Sequence, residues 1–276
     1  MSENGPKITV CIPHWQILTY MQPCLRSIRK HSAAYDLEVI VVDNGSRDES
    51  LDYLRSLDWI RLIERPEEVH TNWPGNVFTA WDRGLREAHG EFFVTMHSDV
   101  FVKRDGWLDP FLREIHRDAS IAAAGAWKFE LENPIYAWQK RAIGFFSARF
   151  KRLFGRNLHI GKYEGKYPRD YCAMYRRDVL LKHDLRFGSV NGYTGGGYSI
   201  ARQLWETGYQ MGMFSVREMD RSVYHINHGT AAVIPEKRLH RLHKQRQSER
   251  KAAELFAKPW IRELQADASL DRCPAA

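Results

Sequence analysis

Two acidic side chains follow segments of buried-strand character in the first hundred residues. Asp43 ends the apolar run at 38–42, and Asp99 follows the run at 92–96. In open α/β sheets, ligands bind beyond the carboxyl ends of the strands, so both acids are expected at a binding edge. Asp43 offers oxygens that can accept the N–H groups of a nucleotide base. Asp99 is a hard oxygen ligand that suits Mn²⁺ or Mg²⁺ beside phosphates.

Each acid also has a plainer explanation. Asp43 could cap the helix expected after it, and Asp99 could belong to a surface turn. For either acid taken alone, the plainer explanation is favoured. Because both occur together, at the ends of two strands of one expected sheet, a shared ligand is favoured instead.

Short β-rich runs alternate with amphipathic helical segments through the first half of the chain. The predicted strands are 8–12, 38–42, 60–63, 92–96 and 121–127. The predicted helices are 20–31, 46–57, 75–89 and 107–116. This alternation predicts an α/β fold with a mostly parallel sheet and helices on both of its faces.

Regularity fades after the fifth predicted strand, between residues 129 and 166, which we interpret as an insertion. Order resumes with a strand at 171–175, a glycine-rich turn at 192–197, a helix at 198–207 and strands up to His225. The second half therefore returns to the same alternation once the insertion has passed.

A basic helical tail is expected at the end of the chain. Pro235 opens it and Pro259 interrupts it, because proline cannot continue a helix. We therefore expect a single domain over 1–230, which contains the insertion, and the helical tail over 231–276.

The formal net charge of +7 is concentrated in two segments. Residues 140–169 hold nine Lys or Arg and one acid, and residues 237–251 hold seven and one. These segments carry +8 and +6, which leaves the rest of the chain at −7. The basic character is thus appended to a mildly acidic body. No recognisable nucleic-acid motif accompanies it, so no specific nucleic acid is expected as a partner.

The insertion mixes cations with aromatic side chains, such as Lys140, Arg149, Phe150 and Phe154. Such a stretch can lie on an anionic membrane surface, with its apolar face inward and its cations toward the headgroups. It can equally be a helix whose Phe residues pack on the core, and both interpretations stay open. The tail is most simply a solvated helix, although it too could lie on a membrane or contact a partner chain.

Neither a secretory signal nor a membrane-spanning run is recognisable, since no segment approaches the ~20 apolar residues that a spanning helix needs. The cysteines are widely spaced and form no C-x-x-C pair: Cys11, Cys24, Cys172 and Cys273. Reduced thiols in the cytosol are therefore expected rather than disulfides or a zinc site. The expected location is the cytoplasm, with attachment to the inner face of a membrane as an open alternative.

Three motifs occur in a characteristic order. Ile12-Pro13-His14-Trp15-Gln16 follows the first strand, Val41-Val42-Asp43-Asn44-Gly45-Ser46 ends the second, and Met96-His97-Ser98-Asp99-Val100 follows the fourth. In type and spacing they resemble the motifs of the family 2 glycosyltransferases with the GT-A fold. The resemblance is strong over 8–102 and weaker over 171–228.

The resemblance implies an enzyme that moves a sugar from a nucleotide-diphosphate sugar to an acceptor hydroxyl, with inversion at the anomeric carbon. The donor would be UDP-, GDP- or dTDP-linked, and the acceptor a glycan or glycolipid of bacterial-type cell-surface synthesis. A Mn²⁺ or Mg²⁺ ion would neutralise the charge left on the diphosphate. A protein of the same fold that binds nucleotide-sugars without catalysis is the alternative.

The resemblance also implies a set of site residues. The donor-binding residues are expected to be Pro13, His14, Trp15, Asp43, Asn44, Asn76, Asp82, His97, Ser98 and Asp99. Asn76 and Asp82 lie on the helix at 75–89, where they could contact the donor or only cap and solvate that helix. The metal ligands would be Asp99 and a late histidine, for which His225 is preferred to His228 because it ends a strand-like run.

Two positions depart from the family pattern. His97 stands where the family has the first acid of its D-x-D element, which weakens attraction for a hard cation. Gly196 and Gly197 stand where an acidic pair usually supplies the general base, which removes the proton of the acceptor hydroxyl. Asp170, and more weakly Asp184, are the candidates to replace that base. Otherwise the acceptor needs little deprotonation, or the protein binds without turnover.

Overall fold

The computed structural model describes residues 6–68, 73–127, 150, 167–190, 195–227, 229–233 and 242–272. The predicted insertion at 129–166, apart from Phe150, lies outside the described residues, as do His228 and Cys273. The two interpretations of the insertion therefore remain predictions.

Strands and helices alternate along the described chain. The strands are β1 (Ile8–His14), β2 (Leu37–Asp43), β3 (Arg61–Glu64), β4 (Phe92–Met96), β5 (Val100–Val102), β6 (Ile121–Ala126), β7 (Cys172–Arg176), β8 (Gln210–Phe214) and β9 (Val223–His225). The helices are α1 (Leu18–His31), α2 (Glu49–Arg55), α3 (Trp73–Glu87), α4 (Asp109–His116), α5 (Arg177–Lys182), α6 (Gly196–Glu206), α7 (Val216–Ser222), α8 (Gly229–Val233), α9 (Leu242–Phe256) and α10 (Pro259–Ala266).

Seven strands form one sheet in the order β3-β2-β1-β4-β7-β6-β8, and β5 pairs with β9 in a separate ribbon. Within the sheet β7 runs antiparallel to both of its neighbours, and the other pairs are parallel. Successive residues of β1 face opposite layers: Val10 packs with α1, and Cys11 packs with Trp81 of α3. The prediction of a mostly parallel sheet covered on both faces is confirmed.

The register of the sheet aligns the candidate site residues. His14 pairs with Asp43 at the carboxyl ends of β1 and β2, and Met96 of β4 pairs with Cys172 at the start of β7. Because β7 is antiparallel, its amino end lies at the same edge as the carboxyl ends of its parallel neighbours. From β2 to β7 are three strand spacings, about 14 Å in all.

Some predicted boundaries and elements were wrong. The helix predicted at 46–57 begins only at Glu49, because the Asp43 side chain holds the backbone before it in a turn. The three-residue strand β5 was missed because it is too short to show a period. Helix α7 was missed within a region that we assigned to strands.

The tail is not simply a solvated helix, and that expectation is wrong for its apolar face. Leu255, Ile261 and Leu264 of α9 and α10 are buried in the core cluster that includes α1. Phe256 stacks on Tyr20 of α1 with ring centroids 5.6 Å apart. The apolar side chains spaced along these helices outweigh the charges, which lie on the opposite face. The domain boundary at residue 230 stays a prediction.

A buried guanidinium fastens the end of the tail to α1. Arg26, 3% exposed, donates two hydrogen bonds to the carboxylate of Asp271, at 2.8 and 2.5 Å. It also donates to the carbonyl oxygens of Leu264 and Gln265, at 3.0 and 2.5 Å. The Tyr53 hydroxyl donates to Asp271 at 2.8 Å. A shared charge network therefore holds α10 against the domain.

We expect Arg26→Gln to lower the free energy of unfolding by about 3 kcal/mol, because it removes one partner of a buried ion pair and leaves carbonyl oxygens without donors. Urea denaturation followed by circular dichroism measures this. The control is Arg55→Gln, which removes an ion pair with Glu64 from an exposed position and should cost less than about 1 kcal/mol. Equal losses in the two variants would mean that the tail is not anchored in this way.

Candidate active site

Asp43 is buried, 1% exposed, at the carboxyl end of β2. Its Oδ2 accepts from the backbone N–H groups of Gly45 and Ser46, at 3.1 and 2.9 Å, and its Oδ1 accepts from the Ser46 hydroxyl at 2.5 Å. These bonds shape the turn before α2 rather than cap that helix. Since a carboxylate oxygen has two acceptor sites, Oδ1 retains one for a ligand.

His14 lies beside Asp43 at the end of β1, and one of its two ring nitrogens is hydrogen-bonded within the protein. The Ser50 hydroxyl donates to Asp48 at 2.5 Å, so it accepts from His14 Nε2, 2.8 Å away. His14 therefore carries its proton on Nε2. Nδ1 is buried and makes no hydrogen bond within the described chain, so it is an acceptor available to a ligand.

The loop after β1 is conformationally unusual. Gln16 and Ile17 have φ angles of 54° and 70°, in the left-handed region that is sparsely occupied by residues other than glycine. The Ser46 hydroxyl accepts from the Gln16 backbone N–H at 2.8 Å, which ties this loop to the Asp43 turn. Pro13 and Trp15 precede this turn, with Pro13 in β1 and Trp15 partly buried against the core.

Asn44 and Asn76 are linked by hydrogen bonds and an ion pair through two residues that the sequence analysis missed. Arg65 donates to Asn44 Oδ1 at 2.8 Å and forms an ion pair with Glu68, and Glu68 accepts from the Asn76 side chain. Asn76 is thus held by this network rather than only capping α3. Arg65 directly follows β3 as Asp43 ends β2, so the strand-end argument applied to β3 would have found it.

Asp82 fastens a loop to α3. Its two carboxylate oxygens accept from the backbone N–H groups of Phe187 and Gly188, at 2.7 and 2.9 Å. Burial raises the pKa of Asp82 against the opposing effect of those N–H groups. Asp82 therefore neither caps nor solvates its own helix, and its place in donor binding remains a prediction.

Asp99 lies between two imidazoles. His225 Nε2 is 3.4 Å and His97 Nδ1 is 3.9 Å from Asp99 Oδ1. One ligand atom from each of these three residues can be chosen so that all lie within 4.8 Å of one another. The β5–β9 ribbon brings them together, because Val100 pairs with His225. Ser98 lies between two members of the cluster, and its role in donor binding stays a prediction.

The loop that follows β9 holds the other oxygen of this carboxylate. The Gly229 backbone N–H donates to Asp99 Oδ2 at 2.8 Å. A Cβ at residue 229 would lie only 2.8 Å from Asp99 Cβ, so the close approach requires glycine. The tail braces the same loop, since the Ser248 hydroxyl donates to the Asn227 carbonyl at 2.7 Å.

The electrostatics of the cluster favour a bound cation. Burial raises the pKa of Asp99, but the neighbouring His225 and His97 and the Gly229 N–H outweigh burial and hold it well below its usual range. Burial lowers the pKa of His97, against the charges of Asp99 and Asp170. His97 Nε2 is buried and makes no hydrogen bond with any described residue. An ionised carboxylate beside two imidazoles is a donor set that suits a divalent transition metal.

Asp170 occupies the space beside the two glycines of α6. Its Oδ2 accepts from the Gly197 N–H at 3.0 Å, and a Cβ at residue 196 would lie 2.8 Å from the same oxygen. Burial raises the pKa of Asp170, but the charges of Arg169 and His97 outweigh burial, so the net pKa lies below its ordinary value. The weaker candidate, Asp184, pairs with Arg186 on the surface and is not part of this group.

The candidate residues therefore lie along one edge of the sheet. Asp43 and His14 are at the ends of β2 and β1, His97 follows β4, and Asp170 precedes β7. With the Asp99 cluster beside β4, this sequence of groups can hold an elongated ligand with a nucleotide at one end and phosphates near the middle. Such an edge site is typical of the GT-A fold, which the sheet and its flanking helices define.

The profile of Glycosyl transferase family 2 matches residues 9–184. This span includes more than half of the chain, and the chain belongs to glycosyl transferase family 2. His225 and the tail lie beyond the matched residues.

Two proteins of similar sequence, both at low identity, are also named as glycosyltransferases. The dolichyl N-acetyl-alpha-D-glucosaminyl phosphate 3-beta-D-2,3-diacetamido-2,3-dideoxy-beta-D-glucuronosyltransferase of Methanococcus voltae is 19% identical over 192 residues, which are 65% of this chain and 60% of that protein. An uncharacterized glycosyltransferase of Haemophilus influenzae is 23% identical over 45% of this chain and 38% of its own length. The chain thus spans less than two thirds of either relative.

Two solved structures share the fold. The mannosyltransferase PcManGT of Pyrobaculum calidifontis, in complex with GDP-Man and Mn²⁺, superposes with a TM-score of 0.53 at 17% identity, over 97% of this chain and 82% of that one. Glucosyl-3-phosphoglycerate synthase of Mycobacterium tuberculosis, in complex with phosphoglyceric acid, gives 0.55 at 18% identity, over 92% and 80%. At this identity the likeness establishes the GT-A fold alone.

We expect stability to fall as the pH drops from about 6.5 to 4, because burial lowers the pKa of His14 to about 4 against the attraction of Asp43 and Asp48. Above pH 6.5 the imidazole is neutral in both states. Between these values the unfolded chain binds a proton that the folded chain does not, which costs at most about 3 kcal/mol.

His14→Gln should flatten this part of the stability curve, measured by urea unfolding at pH 7, 6 and 5. The exposed His116→Gln serves as the control and should keep the slope of the parent. Identical slopes for the parent and His14→Gln would show that His14 is not held neutral.

Proposed function

We propose that this chain is an inverting glycosyltransferase that moves a sugar from a nucleotide-diphosphate sugar to an acceptor hydroxyl. The observation that carries the proposal is the Asp99, His97 and His225 cluster, which lies on the same sheet edge as Asp43 in a member of this family. The sheet edge offers successive places for a base, a diphosphate and an acceptor.

The nucleotide end is assigned to β1 and β2. Asp43 Oδ1 and His14 Nδ1 are buried acceptors that suit base or ribose donors. Pro13 and Trp15 complete this end, and Asn44 and Asn76 border it through Arg65 and Glu68. The base itself, whether of UDP, GDP or dTDP, is not assigned.

Asp99, His225 and His97 would hold the divalent cation. His97 is added to the ligands expected from the sequence because it belongs to the same cluster. Two imidazoles and one carboxylate favour Mn²⁺ over Mg²⁺, since Mg²⁺ prefers oxygen ligands. A cation bound here would neutralise the charge that develops on the departing diphosphate.

Asp170 is assigned as the general base. It is ionised at neutral pH and lies where the glycines of α6 leave room for its carboxylate. As the acceptor oxygen bonds to the anomeric carbon, the bond from that carbon to the diphosphate breaks and Asp170 takes the hydroxyl proton. Attack on the face opposite the leaving group gives inversion.

The acceptor is proposed to be a glycan or glycolipid, as in bacterial-type cell-surface synthesis, and the location to be cytoplasmic. The name of the archaeal relative, which acts on a dolichyl-linked sugar phosphate, supports a glycolipid. Within the described segments no helix combines the length and apolarity needed to cross a bilayer. Peripheral contact with a membrane remains part of the proposal.

A non-catalytic nucleotide-sugar binder is the second candidate, favoured by Gly196 and Gly197 in place of an acidic pair. Measuring turnover distinguishes the two candidate functions. Release of nucleoside diphosphate from a panel of UDP-, GDP- and dTDP-sugars with Mn²⁺ supports the transferase, whereas donor binding with no release or transfer across a broad acceptor panel supports the binder. Absence of any nucleotide binding would reject both.

Asp99→Asn should weaken Mn²⁺ binding at least tenfold, because it removes the charged ligand of the cluster. Calorimetric titration of Mn²⁺, with and without nucleoside diphosphate, measures the change. The control is Asp105→Asn, which alters an exposed carboxylate outside the cluster and should bind like the parent. Unchanged Mn²⁺ affinity in Asp99→Asn would place the cation elsewhere.

Asp170→Asn should lower the rate of sugar transfer about 100-fold or more, because the amide cannot take the acceptor proton. Donor affinity should stay within about twofold, since the amide oxygen still accepts from Gly197. The surface substitution Asp184→Asn is the matched control and should transfer at the parental rate. Parental transfer by Asp170→Asn would remove this residue from the chemistry.

A further inference from the structure

Residues 167–170 form a short segment that two glycines allow to pack closely. A Cβ at Gly125 of β6 would lie 2.8 Å from Pro168 Cβ, and a Cβ at Gly197 of α6 would lie 3.2 Å from the Pro168 carbonyl oxygen. The Arg169 N–H donates to the Ala126 carbonyl at 3.1 Å. The segment is therefore wedged between β6 and α6, and the backbone of Arg169 is fixed next to Asp170.

The Arg169 side chain carries a charge that the described protein does not neutralise by contact. Its Nη1 donates to the Tyr167 hydroxyl at 2.5 Å, and this is its one side-chain hydrogen bond to a described residue. Among the described residues no carboxylate oxygen lies within 4.0 Å of it. A guanidinium has five N–H donors, so most of its capacity is left for a ligand.

Two other arginines have structural roles, and the acceptors of their guanidinium groups can be compared with those of Arg169. Arg26 has the Asp271 carboxylate and two carbonyl oxygens as acceptors. Arg176 donates to the carbonyl oxygens of Ile121 and Ile115, at 2.9 and 2.8 Å. Arg169 lacks comparable acceptors although it is only partly exposed. Burial lowers the pKa of Arg169, but the charge of Asp170, the next residue, and the bond with Tyr167 outweigh burial and raise it. Asp170 compensates the charge without contacting it, so the guanidinium donors that lack acceptors indicate an anionic ligand.

One aromatic ring lies against this cation, and two further rings pack on that ring. The Tyr167 ring lies 4.9 Å from that of Trp127 and 5.7 Å from that of Tyr198, and the Arg169 guanidinium lies 5.3 Å from the Tyr167 centroid. The ring faces of Tyr and Trp offer apolar contact area, and their O–H and N–H groups can form hydrogen bonds. Both properties suit a ring-shaped ligand with hydroxyl groups. Tyr167 is buried, whereas Trp127, Tyr198 and Arg169 are partly exposed. These three partly exposed side chains form one wall beside Asp170.

The position of this wall along the sheet edge assigns it to the acceptor. Asp43 and His14 lie at β2 and β1, and the Asp99 cluster lies beside β4. Arg169 lies beyond them, where the segment before β7 contacts the end of β6. The diphosphate would lie between the nucleotide end and this wall, so Arg169 is on the far side of the reacting carbon.

We propose that Arg169 binds an anionic group of the acceptor, a phosphate or a carboxylate, and that the acceptor class is therefore a negatively charged glycan or glycolipid. The inference rests on the proposed transferase function and deepens it. The planar guanidinium fork matches either anion with two parallel hydrogen bonds. An acceptor held by Arg169 would present a hydroxyl group to the carboxylate of Asp170, which is the next residue.

The test uses the full chain with Mn²⁺ and the nucleoside diphosphate that binds most tightly. Glucose 6-phosphate, glucuronate and neutral glucose are titrated in separate calorimetric arms, so that phosphate and carboxylate are distinguished. We expect at least one anionic probe to bind about tenfold or more tightly than glucose. Arg169→Gln should remove that advantage, and Arg169→Lys should restore part of it. Arg113→Gln, an exposed ion-pair variant, should bind like the parent.

The nucleotide titration separates failure of this inference from failure of the function. If nucleotide binds with Mn²⁺ but Arg169→Gln keeps the preference for anionic probes, or if neither anionic probe binds better than glucose, the inference is overturned and the transferase stands. If Arg169→Gln weakens nucleotide binding and leaves the affinities of the probes unchanged, the Arg169 guanidinium binds the donor. The inference is then also overturned. If the parent binds no nucleotide, both proposals fail.

Discussion

The buried carboxylate of Asp99 is the constraint on which the site depends. An ionised acid with little exposure must be compensated, and here the Gly229 N–H and two imidazoles surround it. These partners come from separate segments of the chain. The β5–β9 ribbon brings two of these segments together beside Asp99, since Val100 pairs with His225. The groups that compensate the buried acid are therefore also those that could hold a cation.

The glycines of α6 have a physical explanation in the same region. Substituting an acid at Gly196 would drive its Cβ against Asp170 and Phe78, at 2.8 and 2.7 Å. The φ of 75° at Gly196 would also strain any other residue. A carboxylate at residue 196, where the family resemblance implies one, and the Asp170 carboxylate would therefore compete for one space. Of the residues that the structure describes, Asp170 is the acid that lies in this space, and it comes from the segment before β7.

The layers of the fold could be predicted from the sequence because β-rich and helical periods alternate clearly up to residue 127. Asp43, Asp99 and His225 could be found because each follows or ends a strand. Arg65 was missed because the strand-end argument was not applied to β3, and Glu68 and Arg169 because they lie in segments without a periodic pattern. The burial of the tail was missed because Lys and Arg dominate its composition, while a few apolar residues at helical spacing decide where it packs.

The brace between Ser248 and Asn227 has a consequence for the smallest unit that can function. The family profile ends at residue 184, before His225 and Gly229. His225 ends β9 and Gly229 begins α8, and Ser248 of α9 donates to the Asn227 carbonyl between them. Helix α10, which follows α9, is fastened to Arg26 of α1. The first and last helices of the described chain are thereby joined, and a fragment that ends at residue 184 would lack His225, one of the three residues of the Asp99 cluster.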